Sequence, residues 1–333
     1  MLITNSNFQE NFCMKRMVPW ILAIVMMAGG GLTSAFAADA CTRDSLKAAV
    51  SKYFAALEAN DPSKLPVVSN VKFTENGVEM PLGQGLWKTA GKVMLKWDLL
   101  DTYKCGTHTN SVIEEPYTAP KPAGKPAGKE NPLFGSRVKP PAEGTPRPIL
   151  YGVRLKVEGD RISEIESFVA RETEFAFNGP VVLTLKDQDW ESIIPPEQRS
   201  SRLAMIAAAD DYYDMFAAEP EVGTPFASPC DRWENGTITT GGTSSGIEAT
   251  MKAHDCTPKG LVITTHGPRR FLVDVEAGTM VAYLLFAGNL PDFHMFRMRN
   301  GKVDLIQSVI GSGAKDIGWP MDHVIKGPSK ASY

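Results

Sequence analysis

The chain carries one short sequence twice, and this repeat limits the folds open to it more than any other feature. Residues 230–236 read Cys-Asp-Arg-Trp-Glu-Asn-Gly, and residues 71–77 read Val-Lys-Phe-Thr-Glu-Asn-Gly. In both copies an aromatic residue comes shortly before Glu-Asn-Gly, a helix-like segment lies upstream, and a strand pair with a tight turn follows. We therefore predict one structural unit that is present twice.

Each copy is predicted to begin with an amphipathic helix. In the first copy, apolar residues recur at three- and four-residue steps after a capping Thr42 or Asp44, which is typical of one face of a helix. These apolar residues are Leu46, Val50, Tyr53, Phe54 and Leu57. In the second copy the helix is predicted over residues 202–216, with an apolar face of Leu203, Ile206, Ala209, Tyr213 and Phe216.

Each copy is predicted to end in a β-hairpin. Residues 149–157 and 161–169 alternate between apolar and polar side chains around a Glu-Gly-Asp turn. In the second copy, residues 293–299 and 302–310 flank Asn-Gly, the strongest short-range hairpin signal. Helix first and antiparallel strands afterwards predict an α+β fold of two tandem units, each with helices packed on an antiparallel sheet.

These signals also set the domain boundaries. The first unit spans residues 41–178, the second spans residues 201–320, and a linker at residues 179–200 joins them. Residues 116–148 interrupt the first unit with a segment rich in Pro, Gly and Lys, which buries too little apolar surface to fold by itself. This insert is either an exposed loop or a basic arm over a neighbouring subunit or a ligand mouth.

The first 37 residues have the three parts of a secretory signal peptide. Lys15 and Arg16 precede an apolar run at residues 17–27, and residues 34–37 supply small residues for cleavage. A membrane span is the competing interpretation, but the run is shorter than the ~20 apolar residues that a spanning helix needs. We therefore predict a periplasmic or secreted protein with no membrane segment after cleavage.

Charge and missing motifs argue against several classes of function. The chain has 35 basic and 38 acidic residues, a net charge of −3, so it lacks the basic excess of a nucleic-acid-binding protein. The sequence contains no P-loop, no G-x-G-x-x-G after a strand, no H-E-x-x-H and no G-x-S-x-G nucleophile motif. We predict no cofactor and no metal.

The cysteines predict disulfides. Cys41, Cys105, Cys230 and Cys256 remain after cleavage, and an even number of cysteines in an oxidising compartment favours disulfide bonds. Three pairings are possible. If each repeat folds by itself, the pairs are Cys41–Cys105 and Cys230–Cys256.

Three phrases resemble a known superfamily. Residues 73–77 (Phe-Thr-Glu-Asn-Gly), 81–87 (Pro-Leu-Gly-Gln-Gly-Leu-Trp) and 155–159 (Leu-Lys-Val-Glu-Gly) look like an uncharacterised secreted group of SnoaL-like proteins. That group is similar to the nuclear-transport-factor-2-like and ketosteroid-isomerase-like cones, in which helices pack into a strongly curved sheet. The resemblance implies an apolar pocket and general acid–base chemistry without a cofactor. The Tyr and Asp pair of the isomerases has no match here.

The second unit supplies most candidate site residues. His294 and Phe296 share one face of a predicted strand, where the imidazole is either a hydrogen-bonded core residue or a pocket base. Asp292 precedes them and could orient the ring or act as an acid, or it could serve only the turn after a proline. Tyr213 is predicted to line the pocket, and Trp233 is predicted to belong either to the core or to the pocket wall.

A second group of candidates lies nearby in sequence. His266 ends a predicted strand, and Arg269 and Arg270 follow it, so one arginine could enter the pocket and hold a substrate oxygen. The alternative for these arginines is a salt bridge to Asp231 or Glu234. Glu234 itself is either a catalytic carboxylate or a structural part of the repeated turn.

Together these features favour one function and leave one alternative. We expect a cofactor-independent lyase, isomerase or hydratase-like enzyme that acts on a small, apolar, oxygenated aromatic or polycyclic molecule. His294 would be its acid or base, and the first unit would be supportive. The alternative is a non-catalytic module that binds a hydrophobic ligand or assembles with another chain; the sequence leaves a homodimer open.

Overall fold

The computed structural model describes residues 41–119, 139–217, 220, 222–240, 254–258, 262–263, 267–312 and 316–319. All of them belong to one compact part of the chain, Asp39–Tyr333. The predicted signal peptide, the middle of the Pro-rich insert and His266 lie outside the described residues. None of the described helices is long and apolar enough to cross a bilayer.

Two halves of the chain contain the same succession of elements. The first half comprises helix α1 (Arg43–Glu58) and strands β1 (Val67–Glu75), β2 (Val78–Glu79), β3 (Val93–Asp101), β4 (Gly106–Pro116), β5 (Pro146–Glu158) and β6 (Arg161–Ala170). After the short helix α2 (Gly179–Val182), the second half comprises helix α3 (Arg202–Asp214) and strands β7 (Phe226–Glu234), β8 (Thr237–Ile238), β9 (Arg270–Asp274), β10 (Thr279–Phe286), β11 (Leu290–Arg299) and β12 (Lys302–Ile310). Single 3-10 turns lie at Pro62–Lys64, Gly85–Lys88, Leu183–Leu185 and Pro196–Gln198.

The two sheets have the same topology. Their strand orders are β2-β1-β6-β5-β4-β3 and β8-β7-β12-β11-β10-β9. All neighbours run antiparallel except β1 with β6 and β7 with β12, which are parallel, so each sheet is mixed. The α+β fold of two tandem units is therefore confirmed, and the parallel pair arises because the first long strand of each half lies beside the last one.

The helices show how far apolar periodicity determines burial. Helix α1 begins with a capping box between Thr42 and Ser45, and all five residues predicted for its apolar face are buried. Helix α3 is capped by Ser201, but the predicted position of Leu203 on its buried face is wrong, because that side chain is 78% exposed. The buried face of α3 instead includes Met205, Ile206, Ala209, Tyr212 and Tyr213.

The predicted disulfides are both present. Cys41 is bonded to Cys105, and Cys230 is bonded to Cys256. Each bond lies within one half of the chain. The second bond joins β7 to the segment that carries Cys256, and both of its cysteines are fully buried in the apolar core of the second half.

The repeated Glu-Asn-Gly has a structural role that the two copies share. Asn76 and Asn235 both have positive φ angles, 48° and 47°. The Asn76 amide nitrogen donates to the carbonyl of Val169 at 3.0 Å, and its oxygen accepts from the Val169 N–H at 2.8 Å. Asn235 forms the same two bonds with Ile310, both at 2.8 Å. Each asparagine thus fastens the turn after the first long strand to the end of the last strand.

We expect replacement of Asn235 with alanine to lower the free energy of unfolding by about 2–3 kcal/mol. The change leaves a buried N–H and carbonyl of Ile310 without their partner and strains a backbone with positive φ. Urea unfolding measures the loss. Asn300→Ala is the matched control. Asn300 has a φ of 51° in an exposed turn, but its side chain does not form a pair of hydrogen bonds with a distant strand among the described residues. Equal losses in the two variants would show that backbone strain alone explains the effect.

The two sheets pack against each other through a shared core. This core includes Trp97, Leu150 and Phe168 from the first sheet and Tyr283 and Phe293 from the second. The Phe293 ring packs directly on the backbone of Gly152, where a Cβ atom would lie 2.0 Å from the ring. Trp190 of the predicted linker is buried in the same core.

Strand β4 was not predicted, because its sequence is polar. Thr107, His108, Thr109, Asn110 and Ser111 are all buried, although such a run is more typical of a loop. They are buried because both faces of β4 are covered. His108 and Asn110 face the second sheet, whereas Thr107, Thr109 and Ser111 lie on the opposite face, which packs against α1. Asn110, for example, donates to Gln307 of β12 at 2.8 Å.

Candidate functional site

The candidate site lies on the face of the second sheet that packs against α3. Alternation along β11 places Asp292, His294 and Phe296 on this face, and alternation along β7 places Arg232 and Glu234 there. The His294 side chain is fully buried. The structure therefore brings together four residues that the sequence singled out, namely Asp292, His294, Phe296 and Glu234.

His294 contacts a carboxylate on each side of its ring. Its Nδ1 lies 3.1 Å from Oδ1 of Asp292, and its Nε2 lies 3.4 Å from Oε1 of Glu234. Asp292 is fully buried and Glu234 nearly so. The contact on the Nε2 side is longer than an ordinary hydrogen bond, so this nitrogen is the more weakly held of the two.

The two carboxylates set the charge of the ring. Burial disfavours a charged imidazole, but Asp292 and Glu234 outweigh this effect and raise the pKa of His294 to about 9. Burial would likewise raise the pKa of Glu234, yet the charge of Arg232 and the hydrogen bond from His294 lower it to about 2. At neutral pH, His294 is thus a cation that can donate from both nitrogens.

At Asp292, unlike at Glu234, the effect of burial on the pKa is larger than the effect of the neighbouring charges. Burial raises the pKa of this carboxyl above its usual range, and the charge of His294 offsets the increase only in part. Of the two carboxylates beside the ring, Asp292 is therefore the more basic. Its contact with Nδ1 fixes the orientation of the ring, as a carboxylate commonly does for a functional histidine.

Arg232 was not among the predicted site residues, but it organises the Glu234 side of the site. Its Nε lies 3.6 Å from the Glu234 carboxylate, and its Nη1 donates to the Tyr212 hydroxyl and to the Cys256 carbonyl, both at 3.1 Å. Cys256 is disulfide-bonded to Cys230. The disulfide therefore fixes the position of the Cys256 carbonyl, which accepts a hydrogen bond from Arg232. The signal was available in the sequence, because Arg232 and Glu234 are two residues apart on one strand.

Aromatic rings surround the imidazole. The ring centroids of Tyr212 and Tyr213 lie 5.3 and 5.5 Å from that of His294, and those of Phe296 and Phe286 lie 6.1 and 6.2 Å away. Tyr213 and Phe296 thus lie beside His294, and their predicted role in lining a pocket stays a prediction. These rings complete an apolar shell around the imidazole and its two carboxylates.

Arg269 lies at the border of the site and not beside His294. It forms ion pairs with Asp210 at 2.5 Å and Asp214 at 2.7 Å, both on α3, and its guanidinium lies 5.3 Å from the ring centre of Tyr213. The predicted alternative of a salt bridge to Asp231 or Glu234 is wrong, because the acidic end of α3 is nearer.

Arg270 and Trp233 face away from the site, so the predicted place of Arg270 in the pocket and the pocket alternative for Trp233 are wrong. Arg270 is paired with Glu166 of the first half, in the core between the two sheets. Trp233 packs against the same intersheet core. Both follow from alternation, since each residue is one position from a neighbour that faces α3.

The first half lacks this site. Ser167 of β6 pairs with Val153 and Glu75, as Ser308 of β12 pairs with His294 and Glu234. Val153 therefore occupies the position of His294. By the same registers, Tyr151 stands in place of Asp292 and Phe73 in place of Arg232. Of the ionic residues, the repeat keeps only Glu75.

A tyrosine pair occupies the corresponding place in the first half. The hydroxyls of Tyr53 and Tyr151 lie 2.5 Å apart and are fully buried. Burial raises the pKa of Glu75, and the hydrogen bond from the Leu86 N–H offsets this only in part. The first half thus presents the uncharged Val153 and Tyr151 where the second presents His294 and Asp292.

The described part of the chain holds no group of three or more His, Cys, Asp and Glu side chains suited to a metal ion. The prediction that no metal or cofactor takes part stays a prediction.

Comparison with known proteins gives one family match. Residues 198–310, which hold all of β7 to β12, match a family described as a domain of unknown function (DUF8021). The match covers the second half, with the candidate site, and not the first. No curated protein matches the chain in sequence.

Several solved structures are similar to part of the chain. A proposed polyketide cyclase from Xanthomonas campestris pv. campestris is 12% identical, covers 38% of this chain and 90% of its own, and has a TM-score of 0.28. AclR, a proposed hydroxylase from Streptomyces galilaeus, is 11% identical, with coverages of 39% and 91% and a TM-score of 0.28. A hypothetical protein from Catenulispora acidiphila with a ketosteroid-isomerase-like fold is 11% identical, with coverages of 43% and 97% and a TM-score of 0.22. Similarity at this level does not identify an activity.

Proposed function

We propose that the second half is an enzyme that uses general acid–base chemistry on a small, apolar, oxygenated molecule, and that it belongs among lyases, isomerases or hydratases. One observation carries the proposal. A histidine with a raised pKa lies between two buried carboxylates inside an aromatic shell, and the first half of the same fold lacks this arrangement. Ionisable groups with shifted pKa values cluster at functional sites.

The geometry supports separate roles for the three groups. Asp292 orients the ring through Nδ1, and the longer contact at Nε2 leaves that nitrogen as the donor to a substrate oxygen. Glu234 would take a proton from a substrate carbon while His294 gives one to the oxygen. Once His294 is neutral, Glu234 is a stronger base, because it has lost a neighbouring positive charge.

The catalytic cycle closes within the same pair. In an isomerisation, the proton on oxygen returns to His294 and the proton on Glu234 passes back to another carbon. In a dehydration, the protonated hydroxyl leaves as water, a carbon–carbon double bond forms, and the proton on Glu234 passes to Nε2 of His294 across their contact. Both sequences restore the starting charges without an external oxidant or reductant.

A non-catalytic binding module is the second candidate function. It is favoured by the complete burial of His294 and by the carboxylate on each side of its ring, because such an ionic cluster could also serve only to stabilise the core. In that case the second half would bind a hydrophobic ligand, or pair with another chain, without turnover.

We also propose a periplasmic or secreted location. Two disulfides support it, because such bonds form and persist in oxidising compartments.

Turnover distinguishes the two candidate functions. The wild-type protein would be incubated with aromatic and polycyclic ketones, enols and β-hydroxy ketones, and products and bound ligands would be detected by mass spectrometry. The enzyme proposal predicts an isomerised or dehydrated product from a member of this panel. Ligand retention without any product would favour the binding module and contradict the enzyme.

A further inference from the structure

Ser308 lies between two members of the candidate site, but neither the sequence nor the proposed mechanism gave it a role. It pairs directly with His294 on β11 and with Glu234 on β7, so these three residues form a row across three adjacent strands. Side chains of directly paired residues project from the same face of a sheet. The Ser308 side chain therefore projects on the face that carries the imidazole and the carboxylate.

The hydroxyl of Ser308 is buried and unsatisfied. The residue is 3% exposed, and its Oγ has no hydrogen-bond partner among the described residues. A buried polar group without a partner costs about 1–3 kcal/mol, so such groups call for an explanation.

In the first half, the serine hydroxyl at the equivalent position does form a hydrogen bond. Ser167 is the counterpart of Ser308 in the sheet register and is also fully buried. Its hydroxyl donates to the carbonyl of Thr74 at 3.1 Å. The hydroxyl is thus satisfied in the half that lacks the ionic site and unsatisfied in the half that has it.

We propose that the Ser308 hydroxyl and Nε2 of His294 together hold the carbonyl oxygen of the substrate. This inference rests on the proposed function and names its substrate class, which is carbonyl compounds that form an enolate. When a proton leaves the carbon beside the carbonyl, negative charge moves to that oxygen. Two donors that reach this oxygen would stabilise the charge, in the manner of an oxyanion hole.

Phenols test the inference because a phenolate carries a delocalised negative oxygen like that of an enolate. The probe is 4-nitrophenol, whose absorbance distinguishes phenol from phenolate, and the measurement is its dissociation constant at pH 7. Wild-type protein is expected to bind the phenolate form. Ser308→Ala should weaken binding about tenfold or more, because a hydrogen bond to a charged group is lost.

Three further variants complete the test. Ser167→Ala removes the matched hydroxyl of the first half and should leave the dissociation constant unchanged. Ser308→Thr keeps a hydroxyl and should bind more tightly than Ser308→Ala, which separates its loss from a packing defect. His294→Gln should weaken phenolate binding by more than Ser308→Ala does, because it removes a charged donor.

The outcomes separate this inference from the proposed function. If Ser308→Ala binds as wild type does while His294→Gln is weakened, Ser308 serves a bound water or no ligand, and the inference fails while the proposed site stands. If both variants bind as wild type does, both ideas fail. Failure of the wild-type protein to bind any 4-nitrophenolate also overturns the inference.

Discussion

Replacement of Glu166 with alanine is expected to lower the free energy of unfolding by about 3–5 kcal/mol, the usual cost of removing one partner from a buried ionic group. Glu166 lies in the core between the two sheets and is 1% exposed. It accepts from Nε of Arg154 at 2.6 Å and pairs with Arg270 of the second half. Its loss leaves the buried Arg270 without this ion pair and Arg154 with Glu164 alone.

Glu164→Ala is the matched control for this prediction. Glu164 also pairs with Arg154, at 2.7 Å, but its side chain is 27% exposed, so water can replace it. We expect a loss below about 1 kcal/mol for this variant. Urea unfolding at neutral pH measures both. Similar losses in the two variants would mean that the intersheet ion pairs do not hold the halves together as described.

Replacement of His294 with glutamine is expected to lower kcat/KM about 10²- to 10⁴-fold for any substrate found in the panel, the usual contribution of a general acid or base. Glutamine keeps a polar side chain but cannot exchange a proton. The pH dependence provides a second measurement. Because the active form of His294 is protonated and its pKa is about 9, the wild-type rate should fall as the pH rises through about 9.

His108→Gln is the matched control for His294→Gln. His108 is the other fully buried histidine in the described part of the chain, and it lies between the sheets against Phe293. Burial and the nearby charge of Arg154 lower its pKa to about 3, so its ring is neutral at pH 7. This variant should keep its activity per folded molecule. An equal loss in both variants would indicate damage to the fold and no special role for His294.

Features that depend on neighbouring residues could be predicted from the sequence. The Asn300-Gly301 turn, the buried face of α1 and the two disulfides follow from local chemistry or from the assumption that each copy folds alone. The repeated Asn76 and Asn235 marked the two units correctly, although their hydrogen bonds to distant strand ends could not be predicted. Such bonds depend on strand order, which the sequence does not specify.

Features that depend on which face of a sheet is covered were harder to predict from the sequence than features that depend on neighbouring residues. Strand β4 was not predicted because its polar side chains are buried by the second sheet on one face and by α1 on the other. For Arg270, alternation showed that it and Arg269 face opposite ways but not which way each faces. That choice depends on Glu166, which lies in the other half of the chain.

The candidate site divides in the same way. His294 and Phe296 were found together because they alternate on one predicted strand, Asp292 because it comes just before them, and Glu234 because it belongs to the repeat. Arg232 was missed although its spacing from Glu234 on one strand was a usable signal. Ser308 was missed because it looks ordinary in sequence, and only the register of β7, β12 and β11 brings it beside His294 and Glu234.

The central claim is that His294 is a buried cation at neutral pH, and NMR titration of its ring tests this most directly. With the imidazole nitrogens labelled, both should remain protonated at pH 7 and lose one proton only near pH 9. His108 provides an internal comparison, since its ring should stay neutral above about pH 3. A His294 ring that is neutral at pH 7, or that titrates near its ordinary value of about 6.5, would contradict the account.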